Sequence, residues 1–184
     1  MKTKKEIIDK IEEVKRNNEN SSYLKFYSKT EKYIYSFFKS KKRSFDKETF
    51  YQGFLMIYGW MPTIPYQNKK FSEITKTELS LLLKVYDHAG DNGITKSELE
   101  QIIPFVNNSI VGLSKMLHFI NKDRYAIWDS RIAKVFGLNY NYQVNNIDQY
   151  LIYNEAMLYC IDYDLNLRNL EKKLFIYSFT KNNQ

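Results

Sequence analysis

Apolar side chains recur every three to four residues along this chain, with charged and amide residues between them, and that spacing predicts helices from end to end. Lys4 to Arg16 puts Ile7, Ile8, Ile11 and Val14 on one face. After the polar stretch from Asn17 to Ser22, the segment Tyr23 to Lys39 carries Leu24, Tyr27, Ile34, Tyr35 and Phe38. Asp46 is placed to cap a helix over Lys47 to Tyr58 that ends at Gly59. Its apolar face holds Phe50, Phe54, Leu55, Ile57 and Tyr58. Thr77 to Tyr86 is a further helix. Thr95 and Glu98 have the spacing of a capping box for the next one, which Pro104 ends or kinks. Asn107 to Asn121 is strongly apolar, and Tyr125 to Trp128 is a short hydrophobic run. Helices over Asp129 to Phe136, Ile147 to Tyr159 and Leu167 to Phe179 complete the set. No internal repeat or Ser/Gly-rich linker interrupts the pattern. The expectation is one all-α domain, a helical bundle with two lobes (about 1–75 and 76–184) around a cleft.

Composition fits that reading. The chain has 184 residues, enough for one full core, and only six glycines and three prolines to break helices. Apolar residues at 43 % and aromatics at 16 % argue against disorder. Charge adds a functional constraint: 28 Lys and Arg against 21 acidic residues leave a formal +7, which favours a polyanionic partner. No uncharged apolar run approaches the length of a membrane span, so nucleic acid is the expected partner and the cytoplasm the expected compartment. Sixteen tyrosines among the cations suit base stacking, although Tyr, Lys, Asn and Ile are also enriched together in chains from AT-rich genomes. Cys160 is the single cysteine, which excludes an intramolecular disulfide and a four-cysteine metal site; it reads as a core residue. No cofactor or metal is expected. The basic run containing Lys41, Lys42 and Arg43 is a candidate phosphate clamp, and Trp60, beside Pro62, a candidate stacking wedge.

Two local patterns suggest other chemistry. Asp87 to Glu98 imitates an EF-hand loop, with Asp87, Asp91 and Glu98 at ligand positions. Ala89 and Asn92 break that pattern, because the first cannot coordinate calcium and the second stands where the turn wants glycine. An ordinary helix connection capped by Thr95 accounts for the same residues. The helices from Leu81 to Phe119 also admit a winged-helix arrangement, with Arg124 to Trp128 as part of a wing. The third of those helices is too apolar to read base edges.

A third constellation points to catalysis. Ser114-Lys115-Met116-Leu117-His118-Phe119 is followed by a polar turn and then by Ile127-Trp128-Asp129-Ser130-Arg131-Ile132-Ala133. Asp129 follows a hydrophobic segment and precedes a helical run, which places it at a helix N-terminus. These residues, with the closing Leu167 to Phe175, resemble the helix–hairpin–helix DNA glycosylase superfamily, particularly its 8-oxoguanine glycosylase-like branch. The resemblance covers mainly the C-terminal half of the chain. It implies an all-helical protein that flips a damaged or modified base out of double-stranded DNA and cleaves its N-glycosidic bond. Carried over by position, Asp129 is the essential carboxylate and Lys115 the candidate amine nucleophile. Ser114, His118, Arg131, Trp60 and Trp128 are further candidate contacts to nucleic acid. The family's Leu-Pro-Gly-x-Gly hairpin is missing, and Asn107 to Gly112 stands near its place. The alternative is a non-catalytic basic module, winged-helix-like or a degenerate glycosylase, acting in regulation or phage–host conflict.

Overall fold

The computed structural model describes residues 1–16, 24–41, 46–60, 73–91, 93–163 and 165–180. Along them run α1 (Lys4–Lys15), α2 (Leu24–Lys41), α3 (Lys47–Trp60), α4 (Lys76–Asp91) and α5 (Lys96–Ile102). A 3-10 turn over Ile103–Val106 leads into α6 (Ile110–Ile120), α7 (Ser130–Val135), α8 (Asn141–Val144), α9 (Ile147–Cys160) and α10 (Leu167–Thr180). The described residues form no strand; one isolated antiparallel bridge joins Asp162 to Leu165. The chain is a single all-α domain, and none of its described helices is long and apolar enough to cross a membrane.

Local chemistry fixes where these helices start. Thr-x-x-Glu boxes open α1 at Thr3 and Glu6, α4 at Thr75 and Glu78, and α5 at Thr95 and Glu98. In each, the threonine hydroxyl accepts a backbone N–H and the glutamate reaches back to the threonine N–H. The Glu6 carboxyl is held down at about 2, chiefly by the Thr3 N–H and then by Lys2. Ser109, Asp129 and Asn146 cap α6, α7 and α9 in the same sense.

Periodicity alone ends α4 at Tyr86, but the helix continues to Asp91. The buried stripe Leu82, Val85, Tyr86 and Ala89 is the reason, because Ala89 extends the apolar face by another turn. Asp87 and Asp91 are therefore helical residues and cannot wrap a cation as an EF-hand loop does. Glu98 is committed to the Thr95 cap and to His88 Nδ1 at 2.8 Å.

One apolar cluster extends from Ile7 to Tyr177. Within it, α2, α3 and α4 pack on α6, whereas α1 packs on α9 and α10, and α10 on α7. The lobes therefore do not divide the chain near residue 75. The first helix closes the C-terminal group, and α5 bridges the two groups through α4 and α9. Gly112 lets α3 and α6 approach, since a Cβ there would stand 2.6 Å from the Tyr58 hydroxyl. The α6–α7 connection runs between the groups; it ends at Asp129, and Lys115 lies on α6 before it.

Candidate active site at the α6–α7 junction

Residues 125–128 are buried without strand partners, so their backbone polar groups need side chains to satisfy them. Asn154 Oδ1 accepts the Ala126 N–H at 2.7 Å, Glu171 accepts the Ile127 N–H, and Ser114 Oγ accepts the Trp128 N–H at 3.0 Å. The Tyr153 hydroxyl donates to the Ile127 carbonyl at 3.0 Å. His118 Nδ1 lies 2.7 Å from the Tyr125 carbonyl, and its Nε2 lies 2.5 Å from the Tyr35 hydroxyl. Burial, reinforced by Arg168, pushes the His118 imidazole down to about 3. The ring is therefore neutral, donating to Tyr125 and accepting from Tyr35. Helices α2, α6, α9 and α10 thus hold a single extended segment whose last step delivers Asp129.

Asp129 caps α7 through one oxygen only. Its Oδ1 accepts the N–H groups of Arg131 and Ile132, both at 2.9 Å, while Oδ2 has no hydrogen bond among the described residues. Lys115 lies on α6, 9 % exposed, and its ammonium makes no hydrogen bond or ion pair among the described residues. Burial pushes this amine below the ordinary lysine value; the Asp129 carboxylate pulls it back up and Arg168 pushes it further down. A lowered amine carries its lone pair more readily than an exposed lysine does, which suits a nucleophile, and a carboxylate within electrostatic reach stabilises developing positive charge.

A buried ionic cluster centred on Arg168 lies within electrostatic reach of Lys115. Arg168 donates to Glu31, and through Nη1 to Glu171 Oε2 at 2.8 Å; Lys172 Nζ stands 3.5 Å from Glu31 Oε2. Burial raises the Glu171 carboxyl to about 7 against the opposing pull of Arg168. Sequence reasoning missed this cluster, although it left a signal. Glu171 occupies the same stripe of α10 as Leu167, Leu170 and Leu174, all at most 2 % exposed, so its carboxylate had to be buried.

The chain before α6 replaces the glycine-rich hairpin with asparagine. Asn107 and Asn108 adopt left-handed φ angles of 66° and 49°, a conformation that asparagine tolerates better than most residues. Two of the amides at the start of α6 are already used. Asn145 Oδ1 accepts the Ile110 N–H at 2.7 Å, Ser109 caps the Gly112 N–H, and Asn145 Nδ2 donates to the Asn108 carbonyl at 2.7 Å. Asn145→Ala is expected to destabilise the protein by about 1–2 kcal/mol, because it orphans one donor and one acceptor. A shift of the urea midpoint checks this; an unchanged midpoint would show that water serves those groups as well as the side chain does.

The remaining candidates are scattered. Ser114, His118 and Trp128 are fully buried and hold the protein together rather than contact a ligand. The Trp128 ring packs on Tyr153 and donates to the Val144 carbonyl at 2.8 Å, so it is no wall for a sugar. Trp60 is pinned through Nε1 to Thr30 Oγ1 at 3.0 Å and lies edge-on to Phe119, which removes it as a wedge. Arg131 is exposed, with its guanidinium 4.4 Å above the Phe179 ring. Lys41 ends α2, apart from the α6–α7 connection in sequence; Lys42 and Arg43 lie outside the described residues. The winged arrangement fails because residues 125–128 are buried instead of forming an exposed wing. No family model matches the chain, and neither does any curated protein or solved structure.

Proposed function

We propose that this chain is a DNA glycosylase-like enzyme that cleaves the N-glycosidic bond of a damaged or modified base flipped out of duplex DNA. The observation that carries the reading is the electrostatic coupling of Lys115 to Asp129: a buried amine with no hydrogen-bond partner among the described residues, within reach of a carboxylate that keeps one oxygen unbonded there. In this mechanism the Lys115 lone pair forms a bond to C1′ as the glycosidic electron pair leaves with the base, which takes up a proton. Loss of an amine proton and opening of the sugar ring at O4′ then give an iminium that water hydrolyses. Asp129 stabilises the positive charge that develops on the sugar. The net charge of +7 supports binding to the DNA backbone.

The test is a panel of duplexes carrying single oxidised, deaminated or alkylated bases, scored for base release and for borohydride trapping of the iminium. Release from at least one duplex with a trapped adduct supports the reading. Release without an adduct makes Asp129 the centre of a monofunctional enzyme. No release from any duplex overturns the proposal.

One observation favours a second reading. The Ile110 and Gly112 N–H groups of α6 are already bonded to Asn145 and Ser109, which weakens a backbone grip on phosphate there. A non-catalytic module would bind DNA through side-chain cations alone, with steep salt dependence and indifference to Asp129→Asn.

A further inference from the structure

A cavity of about 460 Å³ opens between α2, the end of α4 and the turn after α6. Neither Lys115 nor Asp129 lines it, so a ligand bound there is independent of the glycosylase reading. Its volume lies in the range of small-ligand sites. The walls are aromatic. Tyr35 packs on Phe119 with centroids 4.9 Å apart, and Phe38 stacks on Tyr86 at 6.2 Å and 24°. The Tyr35 ring is fixed in place, because its hydroxyl donates to the buried, neutral His118. A preset wall loses little freedom when a flat ring lies against it.

The rim is charged. Lys32, Lys39 and Lys122 all line the cavity, and none of the three forms an ion pair among the described residues. The Lys122 ammonium hangs 5.9 Å above the Tyr35 ring, so cation and aromatic face serve the same space. Asp87 and Asp123 also line the cavity and supply acceptors on an otherwise cationic rim. Flat apolar walls suit a nucleobase, three ammonium groups suit a phosphate, and carboxylates suit the N–H groups of a base.

We propose that this cavity binds one nucleotide unit, a base with its phosphate, supplied either as a free nucleotide or by a single-stranded segment of nucleic acid. The base lies against Tyr35 and Phe119, and Lys39 and Lys122 hold the phosphate.

Calorimetric titration of the full chain with each of the four deoxynucleoside 5′-monophosphates, and separately with a short single-stranded oligonucleotide, tests this. Saturable binding is expected in at least one arm. Lys39→Gln combined with Lys122→Gln should weaken it about ten-fold, the size of a lost charge-assisted contact. Both lysines are exposed, so the double variant keeps its fold. The matched pair Lys5→Gln and Lys134→Gln, also exposed and away from the cavity, should leave it unchanged. Asp129→Asn should leave it unchanged too, which separates this site from the glycosylase reading. Binding of mononucleotides identifies a free nucleotide as sufficient; binding of the oligonucleotide alone identifies a strand. Absence of binding in both arms, or binding weakened equally by the two lysine pairs, overturns the proposal.

Discussion

Arg168→Met is expected to destabilise the protein by about 3–5 kcal/mol, the usual result of stranding buried carboxylates without their cation. Glu31 and Glu171 are 4 % and 1 % exposed, and Arg168 bonds both. Lys172 stays near Glu31 after the substitution, but no other lysine or arginine among the described residues is paired with Glu171. Adding Glu31→Leu and Glu171→Gln should recover at least half of the loss. The glutamine still accepts the Ile127 N–H, and no buried carboxylate is left without its cation. Chemical denaturation measures each step. A cost below about 1 kcal/mol for the single change would show that water reaches the cluster and screens it.

The pH dependence separates stranded charge from simple loss of packing. The Glu171 carboxyl is raised from 4.5 to about 7, so its contribution to stability is full below pH 4.5 and is lost as pH rises through 7. The His118 imidazole is lowered from 6.5 to about 3, so its contribution is full above pH 6.5 and is lost as pH falls through 3. The two slopes oppose each other between pH 4.5 and 6.5, and below that window only the His118 loss remains of the two. Removing Arg168 takes away the cation that favours ionised Glu171. The Arg168→Met defect should therefore grow as pH rises and be smallest in acid, whereas a packing defect would be indifferent to pH.

The same cluster shows what periodicity could and could not convey. The all-α class, most helices and the placement of Asp129 before α7 follow from local spacing and capping chemistry. The Thr3–Glu6 and Thr75–Glu78 boxes were as readable as Thr95–Glu98, and they mark starts that apolar spacing blurs. Glu171 on the leucine stripe of α10 was a readable anomaly, but its partners were not. Glu31 stands 137 positions from Arg168, and nothing local to either residue encodes that pairing. The docking of α1 onto α9 and α10 was hidden for the same reason. Ser114 and His118 looked like ligand contacts because they flank Lys115 on a helix. What consumes them is the unpartnered backbone of residues 125–128, a demand visible only once that segment is seen to be buried.

Asp129→Asn is expected to lower base release about a thousand-fold while leaving the fold intact, and the contrast with Asp129→Ala explains why. Asparagine is as good an N-cap as aspartate, so the bonds to Arg131 and Ile132 survive and only the charge is lost. Alanine loses both, and the protein should lose the worth of a cap, about 1 kcal/mol, read as a lower melting temperature. The thousand-fold figure is the usual size of a lost electrostatic contact to a transition state, about 4 kcal/mol. Lys115→Gln should abolish the borohydride-trapped adduct, because no amine remains to form an iminium. The wild-type rate should also fall in acid, as the lowered amine of Lys115 protonates and gives up its lone pair. That limb should lie below the ordinary lysine range and vanish in any residual activity of Lys115→Gln. Single-turnover rates on the most reactive duplex measure both variants across pH. Wild-type rates in both would move the chemistry away from α6 and α7, even with base release established.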